Sequence, residues 1–195
     1  GIGNGILRFL LNQKENEKTI TKFAVSVSFG GTLLLFLLSP IYTRIESVGS
    51  YGFFIPLIYL FSSLATFLGQ VCKAEEKNVL YAVNGIVNTV VLTIFCVITL
   101  AYLKLGVWGY LFSITISYLF STIYYACCIN LYKILSHSVY EKRLIKNLLD
   151  FSIPLIPNEL SWWVIQMSDR YMVLYFYGSS LNGIYSMAYK IPGIF

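Results

Sequence analysis

The sequence predicts an all-α protein, a polytopic bundle of transmembrane helices. Apolar residues make up 57% of the 195 residues and charged residues only 12%, with a mean hydropathy of +0.70. A soluble domain carries about twice that charge. The charges are also clustered, leaving uncharged runs of 21 residues (Phe23 to Thr43), 26 (Ser47 to Cys72), 26 (Asn78 to Leu103) and 28 (Leu105 to Tyr132). Each matches or exceeds the roughly 20 residues with which a helix crosses a hydrocarbon core about 30 Å thick.

Taken in order, the chain opens on GIGNGILRFLL, an apolar run too short to span, which reads as the end of a helix cut at its start. The polar stretch NQKENEKT closes it. Flanking charges then bound helices at 23–42, 53–72, 79–103 and 107–132. The polar segment KILSHSVYEKRLIKNLLD leads to a helix at 150–177, whose end is marked by GSSLNG, Gly178 to Gly183. Two glycines, two serines and an asparagine in six residues predict a loop there. The last run, from Gly183 to Phe195, is again too short to span and reads as a cut helix, so the chain reads as a fragment of a larger bundle. No basic segment followed by a small-residue cleavage site begins the chain, so no signal peptide is predicted.

Lysine and arginine set the expected orientation. Loops on one side hold Lys14, Lys18, Lys22, Lys73, Lys77, Lys133, Lys142, Arg143 and Lys146, and loops on the other hold Arg44 and Lys104. Nine against two makes the first side cytoplasmic by the positive-inside rule. The same rule accounts for the net charge of +5 without nucleic acid as a partner. The longest and most basic connection, 133–149, reads as a solvated cytoplasmic linker, with anionic lipid as its alternative ligand. It divides the chain into 1–132, the linker, and 150–195.

Cys72, Cys96, Cys127 and Cys128 lie in apolar runs or at their ends without metal-ligand spacing, and read as buried filler. His137, the single histidine, has no cysteine or carboxylate at a ligand spacing, and no HExxH, GxSxG, Walker or GxGxxG motif occurs. The sequence therefore predicts neither a catalytic residue nor a metal or other cofactor.

The chemistry concentrates in FSIPLIPNELSWWVIQMSDRYMVLYFYG, Phe151 to Gly178. At about 100° per residue, Gln166, Arg170 and Tyr177 fall within about 20° of Glu159 on a helix, with Trp162, Trp163 and Asp169 on the same half. An intramembrane carboxylate must face a cavity, pair, or take up a proton, so Glu159 reads as a cavity residue and a proton acceptor. Arg170 and Asp169 have a second reading as interfacial or helix-packing residues. Pro154 and Pro157 predict a kink at the start of this helix. Lys190 in the last run is a further cavity candidate, while Arg8 near the end of the first run also reads as a snorkelling boundary residue. Trp108 and the tyrosines at helix ends read as interfacial anchors.

These stretches resemble bacterial polysaccharide repeat-unit flippases, in the polysaccharide transporter branch of the multidrug/oligosaccharidyl-lipid/polysaccharide exporter superfamily. The resemblance lies in FSIPLIP, SDRYMV and GIYSMAYKI, with GILRFL similar to the end of a second helix and LGVWGYLFSITIS to the loop before a sixth. It implies that the chain is a fragment of a two-lobed transporter of about 12–14 helices working by alternating access. On that mapping 1–132 belongs to the N-terminal lobe (the end of helix two through helix six), 133–149 links the lobes, and 150–195 begins the C-terminal lobe. The resemblance further implies a multi-pass protein of the bacterial cytoplasmic membrane that moves undecaprenyl-diphosphate-linked oligosaccharides for surface polysaccharide. Its partners would be that polyprenyl-diphosphate-linked oligosaccharide, the lipid bilayer, and a polysaccharide polymerase and glycosyltransferases. Arg8, Arg170 and Lys190 become candidates for sugar or diphosphate charge. Two alternatives stand beside this reading: a drug or small-molecule exporter of the same superfamily, and a membrane-embedded acyl- or glycosyltransferase.

Overall fold

Four apolar helices dominate the first 130 residues. In a computed structural model of the chain, which describes residues 2–12, 17–44, 49, 51–136 and 141–188, every regular element is helical. They are α1 (Ile2–Asn12), α2 (Glu17–Tyr42), α3 (Phe54–Ala74), α4 (Asn78–Cys96), α5 (Val107–Cys128), α6 (Leu131–Ser136), α7 (Lys142–Ser152) and α8 (Leu155–Ala188). A π-helical turn, Val97–Tyr102, continues α4. The all-α expectation holds. By length and composition α2, α3, α4 with its π turn, and α5 are each able to cross a membrane. α8 is not among them, because its charged and amide side chains dilute its apolar ones.

Gly3–Leu148 form one compact unit and the residues from Leu149 onward a second. In the first, α3 packs against both α2 and α5, and α5 also packs against α4. The helices therefore stand in the row α2, α3, α5, α4, with α3 and α5 inside. The outward faces follow from this order. On α4, Val79, Val83, Ile86, Val90 and Ile94 recur at helical spacing and are exposed, a stripe suited to lipid. On α2, Leu33, Leu37 and Ile41 do the same.

The inward faces are made of small and hydroxyl residues. Along α5 these are Gly109, Ser113, Ser117, Ser121 and, closing the row, Tyr125, all buried at intervals of four. Where helices have no water to escape, small residues give close approach and interhelical hydrogen bonds contribute modestly, on average about 0.6 kcal/mol. Thr99 in the π turn bonds the Gly109 carbonyl (3.1 Å) and the Ser113 hydroxyl (3.0 Å). Thr122 of α5 donates to the Phe61 carbonyl of α3 at 3.1 Å. On α2, Gly31 leaves the space that the Tyr59 phenol of α3 occupies.

The turn between α3 and α4 is a left-handed helix stop. Glu76 adopts φ 62°, the Lys77 amide donates to the Cys72 carbonyl (2.9 Å), and the Glu76 amide donates to that of Lys73 (3.1 Å). Lys77 and Glu75 pair at 2.8 Å, and the bond to Glu75 raises the Lys77 ammonium above its ordinary range. At the other end of the bundle Trp108 packs on Tyr51 (5.2 Å) and Phe54 (5.6 Å), in keeping with an anchoring role. The four cysteines are free thiols, and only Cys72 is fully buried, so the expectation of buried filler fails for Cys127, which is exposed.

Several expected boundaries are corrected. The helix expected to reach residue 132 stops at Cys128, because Asn130 takes φ 50° and ends it before α6 begins. The 133–149 segment, expected as a solvated linker, is partly helical, with α7 beginning at Lys142. In α7, Leu144, Ile145 and Leu148 are buried while Lys142, Arg143 and Lys146 are exposed. His137 lies outside the described residues. The helix expected from 150 is broken by a turn at Ile153 and Pro154, and α8 starts at Leu155 with Pro157 in its first turn, where a proline removes no needed donor. The loop expected at Gly178 to Gly183 is a single break: Gly178 alone leaves helical geometry (φ 82°, ψ 178°), and helix resumes after it. A residue without Cβ adopts that conformation readily, so one glycine does the work expected of six residues.

Candidate functional site

The first unit contains a polar cleft of about 300 Å³ between α3, α4 and α5. α3 supplies Thr66 and Gln70, α4 supplies Tyr81, Asn84 and Asn88, and α5 supplies Tyr118, Ser121 and Tyr125. Ala65, Ala82 and Gly85 complete the wall and keep it open. Helical spacing explains the convergence: on α4, positions 81, 84 and 88 share one face, opposite the exposed valines and isoleucines. Gly69 has the Tyr125 hydroxyl and the Tyr81 ring each 3.3 Å from where a Cβ would sit, so it lets both rings approach α3.

The lining residues lie in the half of the bundle next to the α3–α4 turn. Counting from the helix ends at about 1.5 Å per residue, Gln70 lies about 6 Å deep, Asn84 about 9 Å, Ser121 about 10 Å and Asn88 about 15 Å. The cleft therefore runs from the α3–α4 turn to about the middle of the span. At its mouth the Lys73 ammonium sits over the Tyr81 ring, 4.1 Å from its centre. A smaller cavity of about 180 Å³ shares Asn88 and Tyr118 with the cleft and extends to Tyr110 and Leu92.

The hydrogen bonding inside is incomplete. Ser117 donates to the Asn88 carbonyl at 2.9 Å and also meets the Asn88 side-chain oxygen. The Asn84 Oδ1, Gln70 Oε1 and Ser121 Oγ atoms are buried with no partner. The wall is uncharged, rich in groups that both donate and accept, and flanked by three tyrosine rings.

None of these cleft residues was singled out in the sequence, because counting charges passes over neutral amides. The signal was there: Tyr81, Asn84 and Asn88 recur at 3 and 4 inside a mostly aliphatic run. The residues that the sequence did single out lie elsewhere. Arg8 is exposed on α1. Glu159, Trp162, Trp163, Gln166 and Asp169 are exposed on α8 and Arg170 is half-buried there, and the continuous helix from Leu155 to Tyr177 keeps Glu159, Gln166 and Arg170 on one face. Lys190 lies outside the described residues.

The family model for polysaccharide biosynthesis proteins matches residues 1–194. The chain belongs to that family. Neither a curated protein nor a solved structure matches it. For a polysaccharide biosynthesis protein with four helices able to cross a membrane, a polar cleft at membrane depth is the feature that calls for a function.

Proposed function

We propose that this polysaccharide biosynthesis protein is a transporter that flips undecaprenyl-diphosphate-linked oligosaccharide repeat units across the bacterial cytoplasmic membrane. The observation that carries the reading is the uncharged, hydrogen-bonding cleft within a bundle whose outer faces are apolar. Oligosaccharide cannot cross hydrocarbon unaided, since each unpaired hydroxyl is penalised there. A cleft lined by amides, hydroxyls and phenols replaces water for such a cargo. With the lysine-rich end cytoplasmic, the cleft opens toward the inner leaflet, where a lipid-linked repeat unit is made. Arg8, Glu159, Trp162, Trp163, Gln166, Asp169, Arg170 and Lys190 belong to this proposal as cavity residues. So does the division into an N-terminal lobe, a linker at 133–149 and a C-terminal lobe, working by alternating access. The polymerase and glycosyltransferases of the same polysaccharide are its proposed functional partners.

The alternative, an exporter of cationic drugs, calls for an acidic cavity. Among the described residues no carboxylate lines the cleft, and a lysine stands at its mouth. Deleting the gene that encodes the chain tests the choice. Surface polysaccharide is expected to disappear while lipid-linked repeat units accumulate on the inner leaflet. Unchanged polysaccharide with raised drug sensitivity transfers the assignment to the exporter.

A further inference from the structure

We infer that the cleft between α3, α4 and α5 is a subsite for one uncharged glycosyl ring. This rests on the transport reading above and deepens it by placing the saccharide within the first unit. Three polar atoms carry the argument. Asn84 and Ser121 are 7% and 3% exposed, both line the cleft, and the Asn84 Oδ1 and Ser121 Oγ atoms are unpartnered, as is the Gln70 Oε1 atom nearer the mouth. A buried polar atom without a partner is costly, so these positions favour any ligand that meets them. A sugar hydroxyl donates to an amide oxygen and accepts from an amide nitrogen.

Other ligand classes fit less well. A hydrocarbon tail would leave all three atoms unpaired. A cation would lose its hydration with no carboxylate among the described lining residues, and would meet the Lys73 ammonium over the Tyr81 ring at the mouth. A pyranose has two kinds of surface, and the cleft has both. Its hydroxyl edge matches Asn84, Ser121 and Gln70, and its C–H face matches the rings of Tyr81, Tyr118 and Tyr125. The volume, about 300 Å³, lies at the small end of small-molecule pockets, which suits one ring rather than a whole repeat unit.

The test uses the full-length protein in its own cells. Photoreactive benzoylphenylalanine is placed at position 82, in the cleft wall, or at position 83, on the opposite exposed face of α4. After irradiation, intact-protein mass spectrometry identifies what has been captured. Adducts whose masses contain hexose or hexosamine increments are expected at 82 and not at 83. Their yield is expected to fall about tenfold with Asn84→Leu, which removes the amide and keeps the bulk. Gln70→Leu, at a half-buried position, serves as the second variant if Asn84→Leu fails to give a monodisperse protein. Phospholipid adducts alone, no adduct, or a sugar adduct whose yield neither leucine changes would each overturn the subsite. If surface polysaccharide still depends on the gene, only the subsite falls; if it does not, the transport reading falls and the subsite with it.

Discussion

Asn84 and Glu159 pose the same physical question in different units of the chain: why a polar side chain stands where its neighbours are apolar. Asn84 is buried and its side-chain oxygen has no partner, so its position speaks for a ligand. Glu159 stands about 6 Å along α8 from Leu155, exposed on the face that also carries Gln166 and Arg170. Glu159→Gln keeps the shape and removes the charge. Export of surface polysaccharide is expected to fall several-fold, about 1 kcal/mol or more of lost differential binding, with the yield of folded protein unchanged. Polysaccharide measured at several external pH values checks this, and undiminished export throughout would leave Glu159 a packing residue. Glu159 was legible in the sequence because a charge interrupts an apolar run visibly. Asn84 was not, because an amide changes hydropathy much less and its role comes from what α3 and α5 bring beside it.

At the scale of elements, the seam of α5 decides how closely α4 and its π turn approach. A Cβ on Gly109 would lie 2.9 Å from the Thr99 Cβ and 3.1 Å from the Thr99 carbonyl oxygen, so backbone as well as side chain would have to move. Gly109→Ala is expected to destabilise the bundle by about 1–3 kcal/mol, the usual cost of overpacking. Gly30→Ala is the control, since nothing lies within 4 Å of its added methyl. Thermal unfolding of the purified protein should show a lower midpoint for the first and none for the second; equal midpoints would remove the seam as a stability determinant. The helices themselves were legible from runs between charges. Their ends were less so, and for local reasons. Asn130 and Glu76 stop helices by adopting positive φ, and Gly178 turns the chain with one residue. α7 looked like a polar linker because its charges dominate its composition, yet Leu144, Ile145 and Leu148 recur at helical spacing and are buried.

For the whole molecule, the prediction concerns which end of the bundle meets the cytoplasm. In a cysteine-free background, Lys142→Cys is expected to react with a membrane-impermeant thiol reagent only after cells are permeabilised, and Leu105→Cys to react in intact cells. Labelling at 142 from outside would invert the orientation and turn the mouth of the cleft away from the inner leaflet. The sequence alone determined the membrane class and the expected orientation, because span length, apolar content and lysine distribution are one-dimensional quantities set by bilayer thickness and charge. It also determined the all-α architecture, since a spanning helix satisfies its own backbone within the segment. Only the tertiary structure decided that the row runs α2, α3, α5, α4, and hence that α4 turns its valines outward and Tyr81, Asn84 and Asn88 toward α3 and α5. Helix-to-helix neighbours depend on which small residues allow close approach, a property of pairs of surfaces. The cleft exists only where three such surfaces meet.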